Sequence, residues 1–103
     1  VFSDMDPKGL EIALTIPYAK YWLGPESSEW TSCLKSKYAS RSGYDIQIQA
    51  MKYLSNQVDS GSLSKEITDL ITLMGSERSS YRQEHMYVHN INISLFSIRM
   101  NSD

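Results

Sequence analysis

The sequence predicts an α+β domain: a mostly antiparallel or mixed sheet packed against one or two helices, with a long hairpin or loop excursion. Three observations carry this. Residues 9–16 and 89–100 alternate with the period of two expected of strands. Residues 63–74 repeat their apolar side chains with helical period. The stretch 26–43 is polar and serine-rich, interrupted by Trp30, Leu34 and Tyr38, and reads as the excursion. At 103 residues the chain has room for one domain, 1–103, and one core.

In the first element Leu10, Ile12, Leu14 and Ile16 share a strand face opposite Glu11, Ala13 and Thr15. Pro17 cannot donate to a ladder, so that strand ends, bulges or lies at an edge there. Tyr18, Tyr21 and Trp22 follow as an aromatic cluster, and Gly24-Pro25 reads as a turn. From Asp45, a candidate N-cap, the residues Ile46, Ala50, Tyr53, Leu54 and Val58 fit one helical face. Because Ile46-Gln47-Ile48 also alternates, a strand there stays open. Asp59-Ser60-Gly61-Ser62 is a turn. The next helix carries Leu63, Ile67, Leu70, Ile71 and Met74, with Ser62 as cap and Gly75 just past its end. In the last element His89, Ile91, Ile93 and Leu95 share a face, and the phase then flips to Phe96, Ile98 and Met100. That reversal implies a β-bulge or burial of both faces.

Composition excludes several classes. There is no run of about 18 apolar residues, so no membrane span is expected. The start, Val1 to Asp6, lacks a basic region and an apolar segment, so it does not read as a signal peptide. It also lacks an initiator Met, and the sequence is expected to be cut from a much longer chain. A single cysteine, Cys33, cannot form an internal disulfide or a Cys-based zinc cage, which favours a reducing compartment. The Asn92-Ile93-Ser94 glycosylation pattern is expected by chance. A net charge of −2 argues against a long grip on a phosphate backbone and for reading a base or an end, if RNA is bound.

No catalytic centre assembles, and the chain is expected to be non-enzymatic, without cofactor or metal. His85 and His89 stand four apart, but Met86-Tyr87-Val88 favours a strand, which would hold the pair about 13 Å apart. Asp4, Asp6 and Glu11 lack the glycine-containing loop of a cation site. Cys33 has no activating neighbour in sequence. The aromatic inventory says more. Seven Tyr and two Trp, Trp22 and Trp30, stand against two Phe. Such side chains suit half-exposed recognition surfaces and stack on bases, although most would ordinarily fill a core rim.

At Phe2, Tyr18 and Asp69-Leu70 the chain resembles the cap-binding domain near the C-terminus of the large polymerase protein of phenuivirus-type bunyaviruses. The resemblance implies an excised domain that holds the N7-methylated guanine of a host mRNA cap between two rings, in support of cap-snatching transcription. Phe2 and Tyr18 stand where those rings stand. Asp6 falls where a polar residue faces the base, a position that holds glutamine in some members, and Asp69-Leu70 would close the pocket. A cationic ring between two electron-rich faces gains cation–π attraction, and a carboxylate can accept from the guanine N1–H and N2 amine. The implied partners are capped RNA and the rest of a viral polymerase in the host-cell cytoplasm, with no membrane and a monomeric isolated domain. The alternative is a protein-interaction or regulatory domain with an aromatic surface patch. A small metal-dependent nuclease comes third.

Overall fold

Asp6 and Pro7 open the first helix, α1 (Pro7–Thr15), in the computed structural model, which describes residues 1–100. The Asp6 carboxylate accepts from the Gly9 N–H at 2.6 Å. Pro7 stands in the first turn, where a backbone N–H would have no intrahelical partner. Leu10, Ala13 and Leu14, spaced three and four apart, form the buried stripe, whereas Ile12 and Ile16 stay exposed. This corrects the strand expected over 9–16. Those residues do alternate, but a strong helix start and an i, i+3, i+4 stripe override the period of two. Gly9 is needed here, because a Cβ would run into the Asp4 carbonyl.

After α1 the chain turns through Tyr18, whose φ of 68° is left-handed, and enters β1 (Tyr21–Pro25). Gly24 and Pro25 therefore lie in a strand and not in a turn. Gly24 leaves space for the Trp22 ring, which a Cβ would overlap. β1 pairs antiparallel with β2 (Ile93–Ser97), Tyr21 opposite Ser97 and Pro25 opposite Ile93. On the other side of β1 the N-terminal ammonium donates to the Tyr21 carbonyl at 2.8 Å, and Leu23 N–H donates to the Val1 carbonyl at 2.7 Å.

The expected excursion is mostly helical: a 3₁₀ turn at Ser27–Glu29, then α2 (Trp30–Lys35) and α3 (Arg41–Asp45). Its few apolar residues are the core-facing ones, since Trp30, Cys33 and Leu34 are buried. The helix expected from Asp45 is present as α4 (Ile48–Ser60), with Gln47 at the N-cap and Gly61, at φ 77°, closing it. No strand forms at 46–48. The strongest sequence pattern gives α5 (Lys65–Glu77), with Ile67, Leu70, Ile71 and Met74 buried. Its cap is Ser64, which accepts from Ile67 N–H at 3.2 Å. Gly75 lies inside the helix, and Arg78, at φ 49°, ends it. Leu63 is buried outside the helix, bridged to Arg99. A sixth helix, α6 (Gln83–Val88), occupies a stretch read as polar loop and strand.

The fold class is thus α+β, with helices forming most of the body around a small two-stranded sheet. Trp22, Trp30 and Phe96 pack ring against ring, with centroids 5.8 and 5.2 Å apart. Among the described residues no helix is long and apolar enough to cross a membrane.

Leu70 is fully buried, so Leu70→Ala should cost about 2–5 kcal/mol. Urea unfolding followed by circular dichroism will measure this; a loss below about 1 kcal/mol would contradict the packing of α5.

Candidate functional site

Of the five residues drawn from the resemblance, two come together. Phe2 and Asp6 line one cavity of about 470 Å³, shared with Asp4, Lys8, Gln47 and Gln83. Tyr18 and the Asp69-Leu70 pair lie elsewhere. The Tyr18 side chain is 97% exposed and has no ring partner among the described residues. Phe2 instead meets Tyr87 edge-on, with centroids 5.6 Å apart and planes at 61°. Asp69 pairs with Lys65 at 2.8 Å on the surface, and Leu70 belongs to the core. Tyr18 is not among the residues that line the cavity of Phe2.

Asp6 has a structural occupation. One carboxylate oxygen caps α1, and the other accepts from Gln47 Nε2 at 3.2 Å. Asp4 does the same for α6, accepting from Gln83 N–H at 2.6 Å. A second cleft, of about 310 Å³, gathers these carboxylates with Ser40, Gln47, Arg82 and Glu84. The N-cap residues of α1, α3, α4 and α6 all line it. The positive ends of α1, α3 and α6 therefore already hold the protein's own Asp6, Ser40 and Asp4.

The largest uncommitted feature is the outer face of the sheet. Trp22 and Phe96 point inward, so the neighbouring pair in register, Leu23 with Leu95, points outward, while Pro25 opposite Ile93 is buried. Phe2 bridges Leu23 in parallel and touches Tyr87. The result is a continuous row, Tyr87–Phe2–Leu23–Leu95, in which Tyr87 is 64% and Leu95 57% exposed. Ile93 and Tyr21 extend it and are also exposed.

This face ends on a strand edge that is open at Ile93 and Leu95 and lined from Ser97 on by Ser62–Ser64, whose Ser64 N–H donates to the Ile98 carbonyl and whose Ser62 carbonyl accepts from Met100 N–H, both at 3.0 Å. Glu26 N–H donates to the Asn92 carbonyl and Ile98 N–H to the Lys20 carbonyl, at 2.8 and 2.9 Å. The even-numbered backbone groups of β2 therefore point at β1, and those of Ile93, Leu95 and Ser97 point away. Of these, the Ser97 carbonyl accepts from Ser64 Oγ at 2.6 Å. The outward groups of Ile93 and Leu95 have no partner among the described residues. The phase reversal at Phe96 is neither a bulge nor burial of both faces, since the register runs unbroken. It is one apolar face buried and the other exposed, and that reversal was the sequence signal for this surface.

The histidine pair proves helical, not extended. His85 and His89 stack at 5.8 Å, and Tyr38 packs on both, at 5.2 and 4.1 Å. No group of three or more metal-ligating side chains occurs among the described residues. Burial, with a smaller contribution from Glu29, pushes the Cys33 thiol up from 9.0 to about 11.

These features belong to a chain whose family is defined without a function. The chain belongs to the DUF7281 family, a domain of unknown function, which matches residues 1–95. No curated protein and no solved structure matches it. The matched span includes the whole outer face described above except the last residues of β2.

Two measurements check these environments. Removing the Asp6 cap (Asp6→Ala) should cost about 1–2 kcal/mol, because it leaves Gly9 N–H and Gln47 short of a partner; an unchanged urea midpoint would contradict the assignment. The folded state favours the Cys33 thiol over the thiolate. Its contribution is therefore complete below pH 9.0 and is lost as pH rises towards about 11. A thiol reagent at pH 8 should accordingly label Cys33 only through unfolding, at a rate that tracks urea concentration. Rapid labelling in the native state would contradict this.

Proposed function

We propose that this domain is a non-catalytic binding module that takes an extended polypeptide segment as an added strand on β2. One observation carries the reading: the outward backbone groups of Ile93 and Leu95 are free, beside an apolar row in which Leu95 and Tyr87 are exposed and Leu23 and Phe2 half-buried. Exposed strand edges are ordinarily blunted by charge, proline or cover, and β2, Ile93-Ser94-Leu95-Phe96-Ser97, carries none of the first two. An added strand would obtain affinity from main-chain bonds and selectivity from alternate apolar side chains seated on the row.

A second reading, recognition of a methylated guanine cap, is favoured by one observation, the shared cavity of Phe2, Asp4 and Asp6. In that reading Phe2 supplies one stacking face, worth about 1–3 kcal/mol, and the unbonded oxygen of Asp4 faces the base edge. Tyr18 does not line that cavity.

Selection of random peptides on the immobilised domain separates the two. The strand reading expects extended sequences with alternating apolar residues, whose binding is lost in Leu95→Lys and kept in Tyr18→Ala. Peptides indifferent to Leu95→Lys would remove it. The cap reading expects calorimetric binding of methylated cap analogue over GTP, weakened about tenfold by Phe2→Ala, and equal binding of both nucleotides would remove it.

A further inference from the structure

We infer that a second site lies between α2, α3 and α5, where Arg41 and Ser79 hold the carboxylate of a small aliphatic acid. It is separate from the strand edge and does not rest on it. Placement, an unmet hydrogen bond and charge carry the inference.

Placement comes from a short antiparallel bridge. Ser40 and Ser80 exchange both backbone bonds, Ser40 N–H to the Ser80 carbonyl at 2.9 Å and Ser80 N–H to the Ser40 carbonyl at 3.1 Å. Ser80 Oγ adds a third bond to the Ser40 carbonyl at 3.0 Å. Side chains alternate across such a pair, so the next residues, Arg41 and Ser79, share the opposite side. The cavities agree with this alternation. Ser40 and Ser80 line the acidic cleft of about 310 Å³. Ala39, Arg41 and Ser79 line another, of about 590 Å³, together with Leu34, Lys35 and Glu77.

The unmet bond is that of Ser79. This residue is 1% exposed, and its hydroxyl is one of two buried side-chain polar atoms without a partner among the described residues. An unbonded buried hydroxyl costs stability, so folding gives no reason for a serine at this point. A ligand oxygen seated against it would supply the bond. The neighbouring hydroxyl is already committed, since Ser36 Oγ donates to the Cys33 carbonyl at 2.8 Å.

Charge selects the ligand. Lys35 and Glu77 face each other at 3.7 Å, an ion pair too long for a hydrogen bond. Arg41 has no ion-pair partner among the described residues. One positive charge is therefore left over, which matches a monoanion. A dianionic phosphate would bring its second charge against Glu77. The planar guanidinium of Arg41 suits a carboxylate, with two parallel bonds, and Ser79 can donate a third. Leu34 and Ala39 give an apolar wall for a short aliphatic body.

Amide NMR titration with butyrate, acetate and inorganic phosphate tests this. Butyrate should give saturable shifts at Arg41 and Ser79, and it should bind more tightly than acetate. Arg41→Ala should weaken butyrate at least about tenfold and Ser79→Ala about fivefold, the losses expected for a charged and a neutral hydrogen bond. The Arg41 side chain is exposed and unpaired, so its variant should keep the fold. Ser79→Ala should leave the urea midpoint unchanged or raise it, because it removes an unbonded buried hydroxyl; a purely structural serine would lower it. Shifts that rise linearly with butyrate, or that are the same in Arg41→Ala and wild type, would overturn the proposal. Tighter binding of phosphate than of butyrate, or a lower midpoint in Ser79→Ala, would overturn it as well.

Discussion

The extended segment Val1–Asp6 is the seam on which the rest of the domain depends. Its first residue bonds both sides of β1's outer edge. Met5, fully buried, exchanges both backbone bonds with Tyr81, at 2.9 and 3.0 Å. The carboxylates on either side of it, Asp4 and Asp6, cap α6 and α1. Asp6 also holds Gln47 at the start of α4. Ser3 Oγ receives the indole N–H of Trp22 at 2.9 Å. Six consecutive residues thus fix the sheet, three helix starts and the central tryptophan. Backbone groups and side chains alternate as connectors, as the alternation of an extended chain requires. The acids at the start of the chain are buried or bonded because they are helix caps, and this is why they look like a site in sequence without being free for one.

What could be read in the sequence follows from which signals were local. The α5 face was legible because Ile67, Leu70, Ile71 and Met74 repeat over about two turns with no competing period. The α4 face was legible in part: Ala50 and Leu54 are buried as expected, but Ile46 is exposed and lies before the helix, whose start moved from Asp45 to Gln47 because Asp45 is the last residue of α3 and pairs with Arg78 at 2.9 Å. α1 was misread because both periods fit Leu10 to Ile16, and the deciding information was the Asp6-Pro7 start, outside the alternating run. The 26–43 stretch was misread because α2 and α3 are only about a turn and a half each, too short to show a period. For the candidate site, only Phe2 and Asp6 were both named and brought together. Leu23, Leu95 and Tyr87 depend on strand register and on α6 lying beside Phe2, and neither is encoded in a local pattern.

The aromatic residues divide by role, and the division bears on function. Trp22 and Trp30 are core, each with its indole N–H satisfied, by Ser3 Oγ and by the Pro25 carbonyl at 2.7 Å. Tyr44 and Tyr81 are buried as well. Tyr53 packs half-buried against the core, and Tyr38, though exposed, is taken up by His85 and His89, so the composition signal for a recognition surface reduces to Tyr18, Tyr21 and Tyr87, joined by the half-buried Phe2. Of these, Tyr21, Tyr87 and Phe2 belong to the sheet face, and Tyr18 precedes it in a strained turn. A left-handed backbone costs a bulky residue about 1–2 kcal/mol, and a side chain in solvent recovers none of it. The fold therefore gives no reason for a tyrosine at that point.

The outer face is the place where folding and binding requirements diverge. An edge strand with two unpaired backbone pairs is satisfied by water in the isolated chain, so it costs little in stability. The exposed Leu95 and Ile93 beside it are different: apolar area left in water forgoes about 25 cal/mol per Å² that burial would return. A sequence shaped for folding alone would place threonine or lysine at those positions, keeping the strand and protecting its edge. Apolar side chains on the solvent face of an unprotected edge stabilise only a state in which something covers them. The constraint that produces the uncovered edge is the same one that builds the domain. Val1 and Phe2 occupy the far side of β1, so β2 is the side on which the sheet can grow.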